Sequence, residues 1–243
     1  MEDEEGSAAE EFESIFDDVI DNLQPMSIPI RERASISSAL NFIDSLQDPS
    51  GGFGIESEDE INPLMTGYSL WMNGLCETNI EAQEVESALN FLSLVKGKNG
   101  GFSYFNSGSE SLLPSAVISN ALQSLGVVPT APLLNSVNQY VFDHFQSLFT
   151  ATEDSSGGPP HRLDLCLIMM CMLAIGQGLP IETNTSVVEL LATRRLADGG
   201  WGLPTATMSD VDNTAFALTI LESSRVNDDK IEQQRSTLIN SAQ

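Results

Sequence analysis

Residues 39–54 read "ALNFIDSLQDPSGGFG", and the pattern returns as "ALNFLSLVKGKNGGFS" at 88–103 and as "ELLATRRLADGGWG" at 189–202. Each copy carries an apolar pair: Phe42-Ile43, Phe91-Leu92 or Leu190-Leu191. Gln47, Lys96 or Arg195 stands four positions after the second member of the pair. Four residues further comes Gly51, Gly100 or Gly199, then a second glycine and an aromatic, Phe53, Phe102 or Trp201. A degenerate copy, "YVFDHFQSLFTATEDSSGGPP", keeps the apolar stretch and the glycine pair but has Pro159 in place of the aromatic. The glycine pairs begin at 51, 100, 157 and 199, a spacing that signals stacked supersecondary units.

Each unit reads as a helical hairpin. The first helix carries the apolar pair and ends at the glycines, which accept positive φ without a steric penalty. The spacing predicts first helices at 34–47, 81–95, 132–148 and 184–195, each with one polar side. Second helices are expected at 61–77, 111–125, 162–177 and 209–223, apolar on most faces and therefore buried. Flanking helices at 9–23 and 227–241 bring the number to about ten. No segment alternates with period two, so no sheet is expected. An apolar inner helix alternating with an amphipathic outer one predicts an all-α domain over residues 9–243, an α/α toroid with an inner and an outer layer. The acidic residues 1–8 are expected to be disordered.

Thirty-five acidic residues face ten basic ones, for a formal net charge of -25. Such a surface repels nucleic acid and anionic membranes, so neither is expected as a partner. Cys76, Cys166 and Cys171 are odd in number and form no CxxC, which argues against a disulfide framework and for a reducing, cytoplasmic setting. The stretch "MEDEEGSAAEEFESIF" carries neither a basic nor an apolar run, so no secretory signal is expected in it. The longest uncharged apolar run, "LCLIMMCMLAIG", is too short to span a bilayer, so an integral membrane protein is not expected.

The motif "FIDSLQDPSGGF" resembles the QW repeat of squalene cyclases and related terpene cyclases, whose α/α toroid is shared by protein prenyltransferase β subunits. "DVDNTA" at 210–215 is similar to the DxDD motif of class II terpene cyclases, with Asn213 where the last Asp would be. The resemblance covers most of residues 34–223. It implies protonation-initiated cyclisation of a linear isoprenoid, with Asp212 as the general acid and Asp210 and Asn213 as its hydrogen-bonding neighbours. Such an acid works protonated in an apolar, water-free cavity. The resemblance further implies a second toroid domain or a second copy of the chain covering the acid. No redox cofactor is implied, and magnesium enters only with a diphosphate substrate. Trp201, Phe216, Tyr68, Trp71 and Phe102 are the candidate aromatic faces for substrate, with core packing as the alternative.

The repeats weigh acid against helix cap. Thr66, Ser115 and Thr214 lie thirteen residues after Phe53, Phe102 and Trp201, where a hydroxyl has a structural use. Two residues earlier stand Leu64, Leu113 and Asp212, so the position is acidic only in the last copy. That singles out Asp212, although Asp210 and Asp212 are also good caps. Asp164 and Cys166 have the spacing of a prenyltransferase zinc pair, but His144 and His161 both precede them, so a cap and a core thiol are expected there and no metal site. A protein prenyltransferase β-like subunit is the alternative enzyme reading, and a non-catalytic toroid that binds a lipid or a protein partner is the third.

Overall fold

The computed structural model describes residues 30–55, 61–76, 82–106, 108–150, 164–226 and 229–242. Its helices are α1 (Ile30–Asp44), α2 (Pro63–Cys76), α3 (Ala82–Val95), α4 (Leu112–Ser124), α5 (Pro132–Thr150), α6 (Leu165–Ile175), α7 (Ile181–Arg194), α8 (Val211–Ser223) and α9 (Asp229–Ala242). Among the described residues there is no strand, only two isolated bridges, Gln47 to Phe53 and Phe102 to Ser111. The protein is therefore all-α in its described part. The expected helices recur with ends shifted by a few residues. The tail at 1–8, the helix at 9–23 and the fourth glycine turn at 157–160 lie outside the described residues.

By its internal contacts the chain forms two compact units, Met1–Gln139 and Tyr140–Gln243, with the division inside α5. In the first unit, α2 packs chiefly on α4 and more lightly on α1 and α3. Gly67 faces Val117 and Ile118, and Gly74 faces Ser124, so α2 and α4 run parallel at a separation only glycine permits. Nine consecutive residues of α4, Pro114 to Leu122, are buried. An apolar run without a polar face becomes a helix enclosed on all sides. In the second unit α8 packs on α6, and α9 packs on α7 and α8. Arg235 of α9 donates to the Leu221 carbonyl at 2.9 Å and pairs with Glu232 at 2.6 Å.

The glycine turns have one geometry in three copies. Gly51, Gly100 and Gly199 adopt φ of 94°, 94° and 95°, a region that side chains with a Cβ avoid. Asp48, Gly97 and Leu196 donate their amides to Gly52, Gly101 and Gly200 at 2.9, 2.8 and 2.9 Å. The long polar residue of the repeat then stitches the turn. Gln47 donates to the Gly51 carbonyl at 3.0 Å and to the Glu84 carbonyl of α3 at 2.9 Å. Arg195 Nε donates to the Gly199 carbonyl at 2.8 Å, and Lys96 Nζ reaches Ser136 Oγ of α5 at 3.4 Å. In the first two copies the turn is thereby tied to the helix that follows it. No described helix is long and apolar enough to cross a membrane.

Candidate functional site

The site follows from how the chain leaves the third turn. The Trp201 amide donates to Thr214 Oγ1 at 3.1 Å, as Phe53 does to Thr66 at 3.0 Å and Phe102 to Ser115 at 2.8 Å. The hydroxyls thirteen residues past each aromatic thus hold the turn against the start of the next helix. Nine residues past each aromatic, the amides of Asn62, Ser111 and Asp210 donate back to Phe53, Phe102 and Trp201 at 3.1, 2.8 and 2.9 Å. Asn, Ser and Asp are the residue types that cap helices. Asn62 Oδ1 accepts from the Met65 amide at 2.9 Å, and Asp210 Oδ1 accepts from the Asn213 amide at 2.7 Å. Asp210 is therefore the repeat's cap. Counting nine from each aromatic would have shown this in the sequence.

The three residues of the acidic motif divide their roles. Asn213 is buried, and its Nδ2 lies 3.0 Å from both carboxylate oxygens of Asp210. The expectation was that Asp210 and Asn213 would flank Asp212; the amide instead engages Asp210, one helical turn back, because residues three apart share a helix face. Asp212 sits exposed in the first turn of α8, and no described residue donates a hydrogen bond to its carboxylate. Its neighbour Val211 is 84% exposed and Met208 is 74% exposed. An open depression of about 410 Å³ runs along Ser209, Asp210, Val211, Thr214, Ala215 and Leu218. Val211, Ala215 and Leu218 recur at helical spacing, so α8 leaves an apolar strip uncovered where α4 is enclosed.

The five candidate aromatics lie apart from the depression. Trp201 and Phe102 have no exposed surface and anchor their turns, Trp201 through an Nε1 bond of 2.8 Å to the Leu191 carbonyl. Phe216, on α8, and Tyr68 and Trp71, on α2, are half-buried. None of the five lines the depression, and of Asp210, Asp212 and Asn213 only Asp210 does. Asp164 caps α6 by accepting from the Cys166 amide at 2.8 Å. Burial, then the Asp164 charge, pushes the half-buried Cys166 thiol up. Among the described residues no three His, Cys, Asp or Glu side chains are grouped to hold a metal ion.

Removing the cap and removing the acid should differ. Asp210→Ala deletes the bond to the Asn213 amide and strands the buried Asn213 side chain, a loss of about 1–2 kcal/mol. Asp212→Asn should stay within about 0.5 kcal/mol of wild type, as exposed substitutions do. Urea unfolding of both variants measures this, and equal losses would contradict the division of roles.

Asp198, missed in the sequence, fastens the loop that carries the site. Its Oδ2 accepts from the Ser209 amide at 2.9 Å and its Oδ1 from the Gly200 amide at 3.3 Å. These backbone bonds, Ser209 first, hold its pKa below 3.8. A depressed folded pKa means the fastening is present above the unfolded value and is lost as pH falls through the folded one. Hydrogen exchange at the Ser209 amide, corrected for intrinsic rates, should lose protection below about pH 3.8, the group's unperturbed value. Asp198→Asn should lack that acid step; an unchanged step would place its cause elsewhere.

A scan of protein-family models and a search of curated proteins return no match to the chain.

Proposed function

We propose that the chain is an α/α toroid that binds a neutral, isoprenoid-like hydrocarbon along the exposed strip of α8, without transforming it. The toroid reading is supported by one turn geometry in three copies, with Gly51 and Gly100 each seated against the next outer helix. The binding reading rests on the open depression beside Val211, Ala215 and Leu218. Apolar surface left in water yields about 25 cal/mol per Å² when a ligand covers it. The Asp210 carboxylate lines the depression and the Asp198 carboxylate is bonded to Ser209 at its edge, in a protein of net charge -25, so a diphosphate head group would be repelled. A neutral ligand fits.

The test is titration with farnesol and with farnesyl diphosphate, read by displacement of a fluorescent fatty alcohol. Farnesol should bind and the diphosphate should bind at least tenfold more weakly. Val211→Asp, at an exposed position, should weaken farnesol binding about tenfold, and Asp212→Asn should leave it unchanged. Tighter binding of the diphosphate, or full binding by Val211→Asp, would remove this reading.

One observation favours a second reading, class II cyclisation. Asp212 alone breaks the apolar register of Leu64 and Leu113, and its carboxylate takes no bond from a described residue. With a second toroid domain or a second copy covering it, Asp212 would protonate an alkene end of the same ligand. Incubation with squalene and linear prenyl diphosphates separates the two. Cyclic products from wild type that vanish in Asp212→Asn would establish cyclisation; their absence under both conditions is expected for binding alone.

A further inference from the structure

In the first unit, helix α2 keeps one apolar side partly bare, and the repeat identifies that side. Counted from the paired hydroxyls Thr66 and Ser115, Met65, Tyr68, Met72 and Leu75 of α2 stand where Pro114, Val117, Ala121 and Ser124 stand on α4. On α4 this is the side that receives α2. Val117 meets Gly67 and Ser124 meets Gly74, and Pro114, Val117 and Ala121 are buried. On α2 the same side has Met72 43% and Leu75 47% exposed, with Met65 and Tyr68 half-buried. No charged side chain occurs on α2, so a helix laid on this side strips no charge of α2 of its water.

The order of helices along the chain says which segment belongs there. Helix α2 leads into α3 through residues 77–81, α4 into α5 through 125–131, α6 into α7 through 176–180 and α8 into α9 through 224–228. By the same alternation α1 closes a pair whose earlier member precedes residue 30, and residues 1–29 are available for it. Within them Phe12, Ile15, Phe16, Val19, Ile20 and Leu23 recur at helical spacing, with the acidic residues on the other side of the wheel. Residues 24–29 then match the other links in length. Helix α1 itself packs on α2, so a segment joined to α1 by so short a link stays within reach. As α2 packs on α4, a helix one repeat earlier has its place on α2. We propose that the Met65–Leu75 side of α2 is the docking surface for residues 9–23 of the same chain, whose apolar stripe covers Met72 and Leu75. Methionine side chains at such a contact adapt their shape to what lies on them.

The test uses the full chain with the photo-crosslinker p-benzoylphenylalanine placed at Met72. The same group at Leu94 is the control, a still more exposed position on α3. Peptide mapping after irradiation should put the crosslinks from Met72 in residues 9–23 of the same molecule, and those from Leu94 outside them. Mixing chains of light and heavy isotope composition tells one molecule from two. Phe16→Asp/Ile20→Asp removes the apolar stripe by changes that lie before α1. It should cut the Met72 crosslinks about tenfold, since carboxylates are costly to lay against an uncharged helix. In that variant dilute hydrogen peroxide should oxidise Met72 about fivefold faster, because sulfoxide formation follows exposure. Met208 of the second unit, 74% exposed, is the internal reference for that rate. Crosslinks elsewhere, equal yield in residues 9–23 from Leu94, or an unchanged Met72 oxidation rate in the variant would overturn the proposal. So would crosslinks between light and heavy chains, which give the face to a second copy, or to a copurifying protein, which give it to a partner.

Discussion

Gly51→Ala should lower stability by about 3–5 kcal/mol and the melting temperature by about 10 °C or more. Two terms add. At φ 94° a residue with a Cβ carries strain of about 1–2 kcal/mol. The added methyl would also lie 2.0 Å from the Ser87 carbonyl oxygen and 2.3 Å from its carbon. These are backbone atoms of α3 and cannot rotate away, so α3 or the turn must move and the core must be repacked. Gly176→Ala is the control: φ is 58° and a Cβ there meets nothing within 4 Å, so only the strain term, about 1 kcal/mol, remains. Thermal unfolding of both variants by circular dichroism decides. Equal shifts would mean that contact of the turn with α3 contributes nothing.

Trp201→Ala should cost about 3–5 kcal/mol, as removal of a large, fully buried aromatic does. The indole fills the core below the turn, and its main chain holds Thr214 and the Asp210 amide, so the start of α8 depends on it. Trp201→Phe tests the ring separately from its N–H. The first two copies use Phe53 and Phe102 at this register, so a phenyl ring suits the turn, but the Leu191 carbonyl loses its partner at 2.8 Å. An unsatisfied buried carbonyl costs about 1–2 kcal/mol. Urea unfolding should therefore rank the alanine variant well below the phenylalanine one, with farnesol binding lost first in the alanine variant as α8 frays. Equal stabilities for the alanine and phenylalanine variants would mean that the ring itself adds nothing.

These two residues also mark the limits of what could be read in advance. The glycine pairs, the aromatics and the hydroxyls thirteen positions later were visible as a repeat, because each makes its key bond within one turn and the helix that follows. Gln47 was visible too, but its second bond, to Glu84 thirty-seven residues away, was not. Asp212 stood out by breaking the repeat. Whether it faced a hollow depended on what packs around α8, and no local pattern carries that.

The order of residues alone determined the all-α class, the hairpin period, the helix limits to within a few positions and the capping residue types, since hydrogen bonds and apolar periodicity act over short stretches of chain. Tertiary structure alone decided that Trp201 and Phe102 are anchors without exposed surface, and that α8 keeps an open apolar strip. Exposure is a property of neighbours brought together from distant parts of the chain, and similar apolar patterns in α4 and α8 are buried or bare according to which helices lie against them.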